Sequence, residues 1–307
     1  MESALPEVVT CPPHHRMEAL SLVLCEIAPS QRRAIAGELW QTTDANSRPG
    51  EGLFIALRGD QVRGAVWAQP QPGNTAVVWP PKLHQGEPEH AAHRLLRAAA
   101  QWLDTATIGM AQVLLPDRDE RVVGPLEAVG FRHFAELLYL TCEAERFPII
   151  PPSRRDLEFV AYEASQQARL AKLIEQTYVG SLDCPALNGA RRMDDVVAGY
   201  EATGVFRPEL WQIIRSSGED VGVLLLADHP SARHWELVYM GLVPAARGRG
   251  WGRQITQHAQ AMARHGAVDR IVLAVDAANS PALETYRAAG FEKWDRRHVY
   301  LRFGPTT

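Results

Sequence analysis

Residues 244–254 read PAARGRGWGRQ, with three arginines and three glycines between an apolar run ending near Val243 and a segment of helical periodicity beginning around Gly252. Backbone N–H groups at a helix start have no partner within the helix, and the helix dipole adds partial positive charge there. No Ser, Thr, Asp or Asn lies between 244 and 254 to cap such a helix. A bound phosphate would supply the missing acceptor. Gly248, Gly250 and Gly252 would allow positive φ and close approach of an anion, while Arg247, Arg249 and Arg253 would add mobile positive charge. The competing reading is a plain glycine turn with solvated arginines. The neighbouring elements decide between them.

The second half of the chain reads as alternating elements. LEFVAY is a strand, and the following helix carries Leu170, Leu173, Ile174 and Tyr178 on one face. RRMDDVVAGYEATG is a second helix, closed by Gly204. LWQIIRS, VGVLLLA and WELVYMGLV are three strands, followed by a helix over 252–265, the strand IVLAV, a helix over 281–289 and the strand RHVYLRF. The first half repeats part of this pattern: LEAVGF matches YRAAGF with Gly130 and Gly290 160 positions apart, and AQVLL meets IVLAV at the same offset. The proline-rich stretch AERFPIIPPSRRDLEF separates the halves. These signals predict an α/β (α+β) chain of two tandem domains, 1–146 and 157–307, joined by a linker over 147–156. Each domain is expected to hold a mixed, mostly antiparallel sheet flanked by helices.

Arg247-x-x-Gly250-x-Gly252 after a strand, followed by NSPALETYRAAGF at 279–291, resembles the paired signatures of the GNAT acyltransferase superfamily. The resemblance covers roughly residues 155–303. A dinucleotide GxGxxG fingerprint is not matched, because the three glycines alternate. The resemblance implies an N-acetyltransferase that uses acetyl-CoA. The strand before the loop is expected to splay from its neighbour near Met240 and Gly241. Backbone groups of Leu242 and Val243 would pair with the pantetheine arm. The amides from Gly248 through Arg249, Gly250, Trp251 and Gly252 to Arg253 would hold the pyrophosphate, and Asn279 would hydrogen-bond the cofactor. Tyr286 sits where the family places its general acid, and Glu236 where several members carry a base. A carboxylate in an otherwise apolar strand also costs free energy unless paired or used. The plain alternatives are an inward-facing helix aromatic and a rim residue at a strand start.

At the same offset the first copy sets Glu87 against Arg247, His90 against Gly250, Ala92 against Gly252 and Leu126 against Tyr286. It reads as a degenerate copy, whose Glu87 and Glu89 would repel a pyrophosphate. The two-domain form with one working half resembles the tandem members of the superfamily.

The acceptor is less legible. TYVGSLDCPALNGARRMDD offers Tyr178, Asp183 and Asn188 as candidate contacts for a small-molecule amine. A non-catalytic acyl-CoA sensor, or an enzyme acting on a protein or peptide amine, are the alternatives. The net charge of −4 disfavours nucleic-acid binding through bulk charge. Cys11, Cys25, Cys142 and Cys184 form no CxxC pair, and His14, His15, His84, His90 and His93 no metal pattern with acidic partners. No metal, no membrane contact and a cytoplasmic location are expected; oligomeric state is left open.

Overall fold

The computed structural model describes residues 6–25, 50–149, 156–187 and 189–304. Contacts divide the chain into two compact units, Met1–Phe134 with His298–Thr307, and Ala135–Arg297.

The first unit contains β1 (Glu7–Thr10), β2 (Leu53–Arg58), β3 (Gln61–Gln71), β4 (Thr75–Leu83) and β5 (Met110–Leu115). Its last strand is the end of the chain, in β12 (Glu292–Phe303), which pairs antiparallel with β5 from His298↔Leu115 to Phe303↔Met110. The order is β1-β2-β3-β4-β5-β12, with β4 and β5 parallel and the other neighbours antiparallel. Helix α1 (Arg16–Val23) covers one face, burying Ala19, Leu20 and Val23 against Leu53, Ile55 and Trp67. Helices α2 (Glu89–Thr105) and α3 (Glu120–Ala128) cover the other, where Leu95, Leu96, Leu103 and Leu126 meet Val113, Phe131 and Tyr300.

The second unit repeats this plan. β7 (Glu158–Ala161), β8 (Trp211–Ser216), β9 (Glu219–His229), β10 (His234–Leu242) and β11 (Arg270–Asp276) run in order, and β6 (Arg132–Glu143) closes the far side of β11. Only β10 and β11 are parallel. Side chains alternate across β9. Val223 and Leu225 meet Leu170, Leu173 and Ile174 of α4 (Gln167–Tyr178) and Val197 of α5 (Met193–Glu201). Leu224 and Leu226 meet Trp251, Ile255 and Ala259 of α6 (Trp251–His265) and Leu283 of α7 (Ser280–Ala288).

The mixed, mostly antiparallel sheets flanked by helices are as expected. The units, however, do not divide at the proline-rich stretch. β6 and β12 sit 160 positions apart at both ends, so they are the same strand of the two repeats. Each pairs with the penultimate strand of the opposite repeat, and the exchange leaves both units with a complete strand order. Residues 150–155 of the expected linker lie outside the described residues. One histidine also departs from expectation: buried His15 sets Nδ1 3.3 Å from Glu18 and Nε2 3.4 Å from Asp60. No helix among the described residues is long and apolar enough to cross a membrane.

Tyr300 is fully buried, yet its hydroxyl finds no hydrogen-bond partner among the described residues. Removing an unsatisfied buried hydroxyl relieves a desolvation cost, whereas removing the ring opens a cavity. Tyr300→Phe is therefore expected to be neutral or stabilising, and Tyr300→Ala to cost roughly 3–5 kcal/mol. Urea midpoints at constant m-value separate the two outcomes.

Candidate active site

β10 is held by β9 along its whole length, from His234↔His229 to Leu242↔Gly222, with a bulge between Leu237 and Tyr239. Its pairing with β11 stops after three residue pairs, the last being Glu236↔Val272. The strands therefore part at Leu237, ahead of the expected Met240–Gly241, because the extra residue of the bulge bends β10 away there. The gap opens into a cleft of about 440 Å³. Its walls are Leu237–Leu242 of β10, Ala274 and Val275 of β11, and Asn279, Pro281, Ala282, Thr285 and Tyr286 around α7.

The glycine–arginine loop lies at one end of this cleft, with Gly248, Gly250, Trp251, Gly252 and Arg253 lining it. Gly248 and Gly250 both have φ of 75°, and a Cβ on either would meet nothing within 4 Å. They are the positions that need glycine. Gly252, expected to share this role, lies in the first turn of α6 without a positive φ. Gly250 is the N-cap of α6, no side chain caps the helix, and no acidic residue stands in its first turn. The leading N–H groups of α6 thus lack an internal acceptor beside an open cradle.

The arginines differ from one another. Arg247 is not mobile: Nε donates to the Leu242 carbonyl at 3.1 Å, Nη1 to Gly180 at 2.9 Å and Nη2 to Thr177 at 2.7 Å. It ties β10 and the loop to the end of α4. The Arg249 guanidinium lies 5.0 Å from the Trp251 ring centroid. Arg253 lines the cleft. The Val243 N–H donates to Val221 at 3.0 Å, and the Leu242 carbonyl accepts from Arg247, so these two backbone groups already have partners.

Tyr286 projects from α7 into the other side of the cleft and is only 6% exposed. Burial, with a smaller effect of the Asp183 charge, holds its hydroxyl well above the usual phenol range. Asn279 caps α7 by accepting from the Ala282 N–H at 3.3 Å, and it lines the cleft. Asp183 also lines it, accepting from the Asp276 N–H at 3.3 Å; burial raises its carboxyl pKa. Burial pushes the neighbouring Cys184 thiol up to about 12, so it stays protonated. Tyr178 lies apart, its hydroxyl 2.7 Å from that of Tyr200. Asn188 falls outside the described residues. Glu236 does not line the cleft. It sits at the apex where the strands part, with Oε2 3.0 Å from His229 Nε2.

The acetyltransferase (GNAT) family model matches residues 178–291, which contain the parting strands, the loop, Tyr286 and the apex carboxylate. A mycothiol acetyltransferase of Beutenbergia cavernae is 28% identical over 240 residues, 71% of this chain and 73% of that protein. A second, from Jonesia denitrificans, is 36% identical over 86 residues, 28% of this chain and 27% of that protein. Two solved structures share the fold over nearly the whole chain. A GCN5-related N-acetyltransferase from Sphaerobacter thermophilus superposes with a TM-score of 0.69 at 15% identity, covering 98% of this chain and 97% of that one. A tandem GNAT protein from the clavulanic acid biosynthesis pathway gives 0.59 at 14% identity, covering 99% and 100%.

Residues 178–291 match the acetyltransferase (GNAT) family, and the chain has the fold of the tandem GNAT structure. With the acetyltransferase relatives, this makes it an N-acetyltransferase.

Within this chain the loop of the first repeat is built differently. Glu87, the equivalent of Arg247, accepts from Arg58 Nη2 at 2.8 Å and Arg63 Nε at 2.7 Å, with its side chain 3% exposed. Those bonds, led by Arg63, lower its carboxyl pKa. Its charge is thus neutralised locally instead of facing outward, as the expected repulsion required. Helix α2 starts after Pro88 in extended backbone, with Glu89 in its first turn. The partner of Glu236 that sequence reasoning missed is His229. Its signal was the hairpin register, which sets His229 opposite His234 and diagonal to Glu236.

Arg247 shapes the cleft by clamping three carbonyls. Arg247→Met is expected to cost roughly 1.5–3 kcal/mol, the usual scale for hydrogen bonds to a charged group, and to weaken coenzyme A binding. Arg247→Lys should not restore either property, because an ammonium cannot fork toward three separated carbonyls. Urea melts and calorimetry with coenzyme A read the two effects.

Proposed function

We propose that the second unit transfers the acetyl group of acetyl-CoA to the amine of a small molecule, with Glu236 as base and Tyr286 as acid. The observation that carries this reading is the cleft between β10 and β11, with an uncapped helix start at one end and a buried phenol in its wall. The cradle fits a diphosphate chemically: unsatisfied N–H groups, open space at Gly248 and Gly250, and Arg253 nearby. Acetyl-CoA, when bound, supplies the acetyl thioester. The mycothiol acetyltransferase relatives support a small-molecule acceptor.

Transfer needs a neutral amine and a proton for the departing thiolate. Glu236 is partly solvated at the strand apex, its side chain 33% exposed, and would accept the ammonium proton through a water. Tyr286 stays protonated at physiological pH and so retains a proton to donate toward sulfur. Asp183, in the cleft wall, supplies negative charge for a cationic acceptor. The first unit is assigned no cofactor, because Pro88 and the Arg58–Glu87–Arg63 clamp replace the glycine cradle.

Gly250→Glu is expected to abolish coenzyme A binding while leaving the melting profile largely intact, which calorimetry beside a thermal melt would record. Normal affinity in that variant would refute the cradle assignment. Glu236→Gln should lower turnover by roughly 10²–10⁴ with coenzyme A affinity unchanged, and Tyr286→Phe should act on kcat in the same direction. Steady-state kinetics over an amine panel supply the measurement.

A further inference from the structure

We propose that His229 is a positioning residue for the acetyl transfer, fixing the Glu236 carboxylate at the cleft apex by hydrogen-bond donation. The inference rests on the reading of Glu236 as base.

The geometry comes from one hairpin. β9 ends at His229, the turn Pro230–Ala232 follows, and Arg233 takes a left-handed backbone with φ of 51° before β10 begins. Arg233 is anchored by a paired contact to Asp269, both N···O distances being 2.8 Å. The register sets His229 directly opposite His234, and their rings stack with centroids 4.7 Å apart. From there the imidazole reaches along the same face to Glu236, where Nε2 lies 3.0 Å from Oε2. An ionised carboxylate only accepts, so Nε2 carries the proton that makes this bond.

The backbone on the other side of the ring is shaped to admit it. Gly204, with φ of +60°, approaches so closely that a Cβ would stand 3.0 Å from His229 Cε1 and Nε2 and 2.6 Å from the Asp228 carbonyl. A side chain at 204 would meet the Asp228 carbonyl first and the imidazole beside it, so only glycine fits against the ring there. The ionisable groups around the pair are few. His234 faces it from β10, its own imidazole held below its usual value by burial and by His229. Arg270 of β11 pairs opposite His234. The Tyr139 phenol of β6 is raised chiefly by burial and then by the Glu236 charge. Asp228, beside His229 on β9, is bound to Arg207 at 3.0 Å.

Donation from Nε2–H restricts the rotamers of the Glu236 carboxylate. His229→Ala is expected to lower kcat/KM for the amine between about 10- and 100-fold at neutral pH. The loss should fall on kcat, with coenzyme A affinity unchanged. His229→Gln places an amide N–H near the same point and should recover most of the rate.

A wild-type kcat in His229→Ala, measured where Glu236→Gln is inactive, would overturn the positioning role and leave the base in place. A rate loss in His229→Ala with no rescue by His229→Gln would overturn it as well. If Glu236→Gln itself keeps full turnover, the base reading falls first and this inference with it. Should His229→Ala fail to fold, His229→Leu beside His229→Gln decides by the same difference in kcat.

Discussion

The site depends on a strand pair that stops. β10 and β11 share three residue pairs and then part, which in a sheet would ordinarily strand backbone polar groups. Here the parting is tolerated because each strand has a complete partner on its other side. β9 follows β10 to Leu242, and β6 follows β11 from Arg270 to Asp276. The bulge sets where β10 turns away, and the Arg247 clamp fixes its far end. The cleft is thus held open by pairing outside it, so its two walls need not touch each other.

Both repeats carry this opening, since β4 and β5 likewise share only Thr75–Val77 with Met110–Gln112. What separates them is the start of the following helix. In the second repeat the chain enters α6 through Gly250 in left-handed backbone, with no acid in the first turn. In the first it enters α2 through extended Pro88, and Glu89 already answers the helix dipole. The equivalent residues Arg247 and Glu87 carry opposite charge, yet each is spent on tying its loop down. Charge at that position is therefore a poor guide to what the loop can bind. Backbone conformation and the absence of a cap discriminate better.

Much of this was legible because it is local. The 160-residue offset holds for α3 against α7 and for β6 against β12, since each element's pattern is written in its own residues. The glycine loop and Tyr286 were readable for the same reason. Long-range pairing was not. Nothing within β6 or β12 states which equivalent strand it joins, because the two share a register, so the exchange escaped a reading along the chain. Arg247 read as mobile because its three acceptors lie on residues 177, 180 and 242. Gly252 read as a turn glycine, although the helix had begun one residue earlier. The contact between His229 and Glu236 is fixed by hairpin register, which a one-residue slip would abolish.

On the proposed reading the two proton-handling groups occupy opposite environments. Tyr286 is enclosed and its proton is held tightly, so it exchanges only through the cleft. Glu236 stands at the partly solvated apex, and His229 beside it is also partly exposed. A proton taken from the amine can therefore leave by the apex without crossing the cleft, whereas the phenol must be reprotonated from the cleft side after product departs. This asymmetry follows from the same parting of strands. The apex is the last place where β10 still has a neighbour on both sides, and so the last place where a side chain on that strand is held rigidly next to bulk water. A carboxylate two or three residues further along would face the cleft directly, but it would stand on a strand edge where the bulge has already loosened the register. The position of Glu236 trades direct contact for fixed geometry, and a hydrogen bond from the adjacent strand strengthens that choice.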